Sequence, residues 1–209
     1  MNSTDNIVVS LGRQIGSGGY LAGKMIASAL GLIFYDKELL YYAAKESGIC
    51  EEIFENADEK VTRGLSRVLN AHDFLGGAFF DPLNATLSRD RIFSIQSAVI
   101  RKIVNQQSCL IVGRCADYIL RDHPRMRSVF IHASLPLRIA NVAERRGISP
   151  EQAEAFIIKE EKKRAAYYNY FTNKEWGKAD SYHFSLDAGL LGINNCARLA
   201  AHLIKESLG

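Results

Sequence analysis

Ile7-Val-Val-Ser-Leu-Gly-Arg-Gln-Ile-Gly-Ser-Gly-Gly-Tyr20, then an amphipathic stretch to Leu30, then Leu32-Ile-Phe-Tyr-Asp36: this is the segment on which the reading of the chain turns. Ile7 to Leu11 is a short apolar run that stops at glycine, the pattern of a buried parallel strand. Leu21, Ala22, Met25, Ile26, Ala29 and Leu30 recur at helical spacing, so a helix is predicted over residues 19–30 with Gly31 as its stop. Leu32 to Tyr35 reads as a second strand. Between the first strand and the helix lie Gly16, Gly18 and Gly19. A glycine-rich turn at a helix start aims main-chain N–H groups outward and adds partial positive charge, which together favour an anion.

Working outward, the same alternation continues. Asp36 can cap a helix to Ser47, and Glu51 to Leu69 and Ser88 to Gln106 read as further helices, the last carrying Arg89, Arg91 and Arg101. Phe74 to Pro82 reads as a loop, and its apolar part, Phe74 to Phe80, is a candidate homodimer interface. Cys109 to Val112 gives a third strand, with a helix from Ala116. Arg127 to Ala133 gives a fourth, with a helix from Pro136 to Arg146. Ser149-Pro-Glu-Gln152 is a capping box with proline at the first helical position, opening a long, charged helix. Tyr182 to Leu186 is a fifth strand, and Ile193, Cys196, Ala197, Ala200 and Ile204 mark a closing helix. Five strands alternating with helices predict an α/β fold, a five-stranded parallel sheet with helices on both faces.

Composition narrows the function. A net charge of +3 on 209 residues shows no concentrated basic stripe, so nucleic acid is not an expected partner. No segment has the length and apolarity of a membrane span, and the first residues are no signal peptide. Cys50, Cys109, Cys115 and Cys196 form no C-x-x-C pair and are expected as reduced thiols in a cytoplasmic protein. The five histidines have no ligand spacing, so no protein-held metal is expected.

The phosphate-loop pattern G-x-x-x-x-G-K-[S/T] can be laid on the first turn with its second glycine at Gly18. Arg13 then stands at the first glycine, Gly19 at the lysine, and Tyr20 at the hydroxyl residue that holds magnesium. The amides of Gly16, Ser17, Gly18, Gly19 and Tyr20 are expected to hold phosphate. Lys24 lies a turn inside the helix, opposite the apolar stripe, and cannot replace the lysine. Arg13, with its fixed fork of donors, is the candidate to meet phosphate charge. Arg114 follows the third strand at the sheet edge where ligands bind, although an ion pair with Asp117 is an alternative use. Arg164 falls on the face defined by Ala153, Phe156, Ile157, Tyr167 and Tyr168, where a charge needs a partner or a polar cleft. An ion pair with Glu160 or Glu161 is the plainer account of it. Asp36 ends the second strand at the same edge as Arg114. Gly12, Gly16 and Gly18 also fit a G-x-x-x-G-x-G loop, and Tyr170 and Lys174 form a Y-x-x-x-K pair. The same stretch therefore admits a short-chain dehydrogenase-like oxidoreductase.

Gly16-Ser-Gly-Gly19, Phe34-Tyr-Asp-Lys-Glu-Leu39, Ile111-Val-Gly-Arg-Cys-Ala-Asp117 and Arg164-Ala-Ala-Tyr-Tyr-Asn-Tyr-Phe-Thr172 followed by Trp176-Gly177 occur in that order. Taken together they resemble the cytidylate kinase-like family, P-loop relatives of the nucleoside monophosphate kinases. The resemblance runs from Ile7 to about Gly192. It implies a single kinase-like domain over residues 1–209, with a helical acceptor-binding insertion over 37–107 and a helical lid over 149–178. It also implies that Asp36 and Arg114 bind the acceptor, that Arg164 reaches the transferring phosphate, and that Arg138 contributes from the helix after the fourth strand. The chain departs from true cytidylate kinases at the loop lysine and hydroxyl, at Val112 and Cys115 in place of aspartates, and at Tyr42 in place of an arginine. The expected activity is transfer of the ATP γ-phosphoryl to a nucleoside monophosphate or similar small acceptor. Arg13 and Arg164 are then the catalytic candidates, and Mg2+ is held mainly by the substrate phosphates. The alternative is a non-catalytic nucleotide-binding, regulatory protein with a degenerate loop.

Overall fold

The computed structural model describes residues 5–36 and 89–209. The chain divides into two compact units, residues 1–34 with 107–209, and residues 35–106. The helices expected between Asp36 and Leu69, the apolar stretch from Phe74 to Phe80, Tyr42 and Cys50 lie outside the described residues.

In the first unit β1 (Val8–Arg13) runs through the middle of the sheet. It is followed by α1 (Gly19–Leu30), β2 (Ile33–Tyr35), β3 (Cys109–Val112), α3 (Ala116–Ile119) and β4 (Met126–His132). Then come α4 (Leu135–Arg146), α5 (Pro150–Thr172), β5 (Phe184–Asp187), α6 (Ala188–Leu191) and α7 (Ile193–Leu208). The second unit contributes α2 (Arg89–Gln106), which buries Ile92, Ile95, Val99, Ile100 and Ile103. Their i, i+3, i+4 spacing is that of one helical stripe.

The five strands stand in the order β2-β3-β1-β4-β5, and β1 pairs in parallel with both β3 and β4. One connection from β1 leads out past β3, while β3 leads across to β4, so the carboxyl ends of β1 and β3 border a topological switch point. That is the edge at which open parallel sheets bind ligands. The order also overturns the dehydrogenase reading. A dinucleotide fold of that class sets its second strand beside the first, whereas here β3 takes that place and β2 lies outside it. The Tyr170/Lys174 pair dissolves as well. The Tyr170 side chain is exposed, α5 ends at Thr172, and Lys174 Nζ turns toward Asp117 at 3.9 Å.

β1 is longer than its apolar run suggests. It continues through Gly12 and Arg13 because both stay in register with β4, Arg13 opposite Ile131. Val9, Leu11, Ile26, Leu110, Val129, Ile131 and Ile204 form the main core between the sheet, α1 and α7. A second, smaller core joins Ile15 to Val142, Ala153 and Ile157, so the loop after β1 is tethered to α4 and α5. The capping box forms as expected, with Gln152 N donating to Ser149 Oγ at 3.3 Å and Ser149 N donating to Gln152 Oε1 at 3.0 Å. Cys109, Cys115 and Cys196 are free and buried. Among the described residues no helix is long and apolar enough to cross a membrane.

Candidate active site

The loop between β1 and α1 takes its shape from two glycines with left-handed backbones, Gly16 at φ 79° and Gly18 at φ 77°. Neither tolerates a side chain. A Cβ on Gly16 would stand 2.6 Å from the Arg138 carbonyl oxygen, and one on Gly18 would stand 2.6 Å from Ile193 Cδ1. Side chains hold the loop in place from outside. Asn141 Nδ2 donates to Gly16 O at 2.8 Å, and Ala133 N donates to Gln14 Oε1 at 3.2 Å, which ties the loop to the end of β4. Ser17 is buried and its hydroxyl donates to Gln14 O at 2.8 Å.

Two amides of the expected cradle have partners inside the loop. Gly19 N donates to Ser17 Oγ at 3.2 Å, and Ser17 N donates to Gln14 O at 3.4 Å. Two of the five expected amides are therefore engaged within the loop. Tyr20 does not stand in for a magnesium-binding hydroxyl. Its ring packs edge-on against Phe34 at 5.4 Å, with Lys24 Nζ 4.9 Å above it.

Arg13 explains the glycine at the lysine position. A Cβ on Gly19 would lie 2.6 Å from Arg13 Cβ and 3.2 Å from Ile131 Cβ, so Arg13 occupies the space a lysine stem would need. The Arg13 side chain extends to β3, where Nη1 lies 3.2 Å from the position a Gly113 Cβ would take. The cation has moved from the helix start to the strand end. Arg114 follows Gly113 with a left-handed backbone of its own at φ 60°, an uncommon conformation for a non-glycine residue. The alternative pairing of Arg114 with Asp117 gives way to another arrangement: Asp117 accepts from Tyr168 Oη at 2.7 Å and lies 3.9 Å from Lys174 Nζ.

Arg164 projects from the middle of α5, and its Nη1 donates to Arg13 O at 3.1 Å. Neither suggested helix partner binds it directly. Glu160 pairs with Lys163 at 2.6 Å. Glu161 pairs with Arg138 Nη1 at 2.7 Å and accepts from Ile15 N at 3.0 Å. Burial pulls the pKa of both Arg114 and Arg164 below the usual guanidinium value. The nearby Tyr167 and Cys115 oppose this at Arg114, and Glu161 and Glu160 oppose it at Arg164, while the Arg114 charge adds to the fall at Arg164. Desolvated cations set near one another favour an anion with more than one charge between them.

The structure thus brings Arg13 and Arg138 against the loop of Gly16, Ser17, Gly18, Gly19 and Tyr20, with Arg164 on the Arg13 carbonyl and the Arg114 charge felt at Arg164. Asp36 directly follows β2 and belongs to the second unit. Sequence reasoning missed Asn141, Gln14 and the engagement of Glu161. For Glu161 a signal existed: Ala153, Ile157 and Glu161 form one i, i+4 series, so the carboxylate interrupts an apolar stripe. Among the described residues no group of three or more His, Cys, Asp or Glu side chains is placed to hold a metal.

A five-stranded parallel sheet flanked by helices, with a glycine loop between β1 and α1, is a P-loop kinase-type fold. The chain belongs to the cytidylate kinase-like family, whose model matches residues 8–189. It is similar to a solved but uncharacterized protein from Eubacterium ventriosum, 29% identical over 96% of this chain and 99% of that one, with a TM-score of 0.72. At fold level it is similar to shikimate kinase from Bacteroides thetaiotaomicron, 14% identical over 97% of this chain and 98% of that one, with a TM-score of 0.52. A gluconokinase from Sinorhizobium meliloti is 15% identical over 97% of this chain and 95% of that one, with a TM-score of 0.51. No curated protein matches the chain.

Proposed function

We propose that this protein transfers the γ-phosphoryl group of ATP to a small acceptor, a nucleoside monophosphate or a similar phosphorylated molecule. The observation that carries the reading is the convergence of Arg13 and Arg164 on one glycine loop, with Arg164 Nη1 3.1 Å from the Arg13 carbonyl. Phosphoryl transfer asks a protein chiefly for positioning and for neutralisation of spreading charge, and this set of groups supplies both. The Gly16, Gly18 and Tyr20 amides take the donor phosphates. The Gly19 amide joins them if the Ser17 hydroxyl turns away, and the Ser17 amide if it leaves the Gln14 carbonyl. Arg13 supplies the charge that a loop lysine supplies elsewhere. Arg114 holds the acceptor, Arg164 stabilises charge on the transferring group, and Arg138 supports it from α4. Magnesium would be held mainly by the donor phosphates and would neutralise charge there. Residues 149–178 act as a lid that excludes water once both substrates are in place, and residues 37–107 form the acceptor-binding insertion of a single domain.

One observation favours a second reading, a nucleotide-binding regulatory protein. The Ser17 hydroxyl holds the Gly19 amide, which shortens the cradle. Both readings are tested by ADP release from ATP across a panel of nucleoside monophosphates and other phosphorylated acceptors, alongside binding titrations of each nucleotide. Turnover with one acceptor, lost in Arg164→Ala, supports the kinase. Tight binding of a nucleotide with no turnover on any acceptor supports the regulator and contradicts the kinase.

A further inference from the structure

We propose that the Glu161 carboxylate marks an oxyanion subsite of the loop, and that a phosphoryl group of the ligand enters it by displacing Glu161. The inference rests on the phosphate-binding reading above and deepens it, since it makes Glu161 a built-in competitor for the ligand. One oxygen, Glu161 Oε1, accepts from the main-chain N–H of Ile15 at 3.0 Å and from Arg138 Nη1 at 2.7 Å. The first donor belongs to the glycine loop. The second belongs to the helix segment on which the loop rests, for Gly16 lies against the Arg138 main chain. A main-chain amide and a guanidinium are the donors that phosphate oxygens use, and charge-assisted bonds of this kind are short and strong.

A second observation points to a missing ligand oxygen. Arg138 is only 6% exposed, and its Nε is buried with no hydrogen-bond partner. Buried donors are almost always paired, and an orphan calls for an explanation. A carboxylate that spends one oxygen on both Ile15 and Arg138 leaves the guanidinium undersatisfied. A phosphoryl group brings three oxygens and can give the Ile15 amide and Arg138 Nη1 one acceptor each, where the carboxylate makes them share one. Glu161 is carried by α5, whereas both donors sit on the loop and α4. Displacing the carboxylate therefore loosens α5 from the loop at this point. It also releases negative charge beside Arg164, one helical turn further on.

The test is calorimetric titration of tripolyphosphate, and of ATP, into wild type, Glu161→Gln, Glu161→Asp and Glu160→Gln at one ionic strength, with melting curves for each. Glu161→Gln removes the competing charge and is expected to bind tripolyphosphate about tenfold more tightly. Glu161→Asp keeps the charge but withdraws it by one methylene, and it is also expected to bind more tightly, which covers the case of a misfolded glutamine variant. Glu160→Gln removes the same charge from a neighbouring position that pairs with Lys163, and a change of less than about twofold is expected. Unchanged or weaker binding in both Glu161 variants overturns the competitor while leaving the phosphate site standing. An equal gain in Glu160→Gln also overturns it, because the effect is then one of general charge. No binding of either ligand to any form overturns the phosphate site and the competitor together.

Discussion

Helix α5 grips the first unit at two places, by different chemistry. At its middle, Glu161 and Arg164 reach the loop through charged contacts with Ile15, Arg138 and Arg13. At its carboxyl end, Tyr168 Oη donates to the buried Asp117 at 2.7 Å. The chain beyond it then folds back so that Tyr182 stacks on Phe130 at 4.7 Å and Trp176 meets Phe130 edge-on at 5.3 Å. The second grip is an aromatic and hydrogen-bonded clamp whose loss strands a buried carboxylate. The first is a set of ionic contacts that another anion can replace. The carboxyl end of the helix is thus an anchor, and its middle is where a ligand can compete. The proposed competition therefore predicts movement on binding at the middle of α5 and a larger effect on stability at its end.

The comparison breaks most visibly at Arg164. Arg164→Ala is expected to lower turnover by about a thousandfold, as loss of a transition-state arginine does in related transfers, while shifting the melting temperature less than any change at the clamp. A variant that melts much earlier would make Arg164 a structural residue and erase the contrast. Next comes the loop itself. Gly16→Ala must place a Cβ 2.6 Å from the Arg138 carbonyl on a backbone at φ 79°. The left-handed conformation alone costs about 1–2 kcal/mol, and nucleotide binding should weaken with it; an unchanged titration would show that the loop shape is not needed. At the clamp the order of effects reverses. Tyr168→Phe removes the hydroxyl from Asp117 and is expected to cost about 1–3 kcal/mol of stability, read by urea unfolding, with turnover per folded molecule little altered.

A pH profile sharpens the same contrast. Burial raises the Asp117 carboxyl above the usual aspartate value, opposed by the Tyr168 hydroxyl and the Lys174 charge. The folded protein then holds this proton more tightly than the unfolded chain does. The contribution of Asp117 to stability is therefore greatest below the ordinary carboxylate pKa of about 4 and falls as pH rises through the raised value. Asp117→Asn should flatten the melting temperature against pH over that range. An unchanged slope would show that another group carries the dependence. The smallest effect concerns the thiols. Burial pushes Cys109 up to about 12 and Cys196 up to about 11, so native-state alkylation of these two at pH 8 should be much slower than in denaturant.

The anchor and the ionic contacts at the middle of α5 were not equally legible in the sequence. Residues 19–30 are read as a helix and are one, because an apolar stripe and the stop at Gly31 agree with the packing. Arg164 could be found because a charge on an apolar face is conspicuous. Arg13 could be found because it replaces a motif glycine, but its place at the end of a strand could not, since that depends on register with β4. The Ser17 hydroxyl on the Gly19 amide is a matter of side-chain rotation, which spacing does not encode. Glu161 looked like the partner of an arginine one turn away along its own helix. Only the folded chain brings Arg138 and Ile15 to it from 23 and 146 residues away. The Asp117 clamp escaped notice for the same reason: Tyr168 lies 51 residues from it in sequence.

The most direct test of the central claim is a crystal structure with a non-hydrolysable ATP analogue. The account predicts phosphate oxygens on the Gly16 and Gly18 amides, the Arg164 guanidinium within hydrogen-bonding distance of the terminal phosphate, and Glu161 withdrawn from the Ile15 amide. A nucleotide bound away from this loop, with Glu161 still on Ile15 and Arg138, would contradict it.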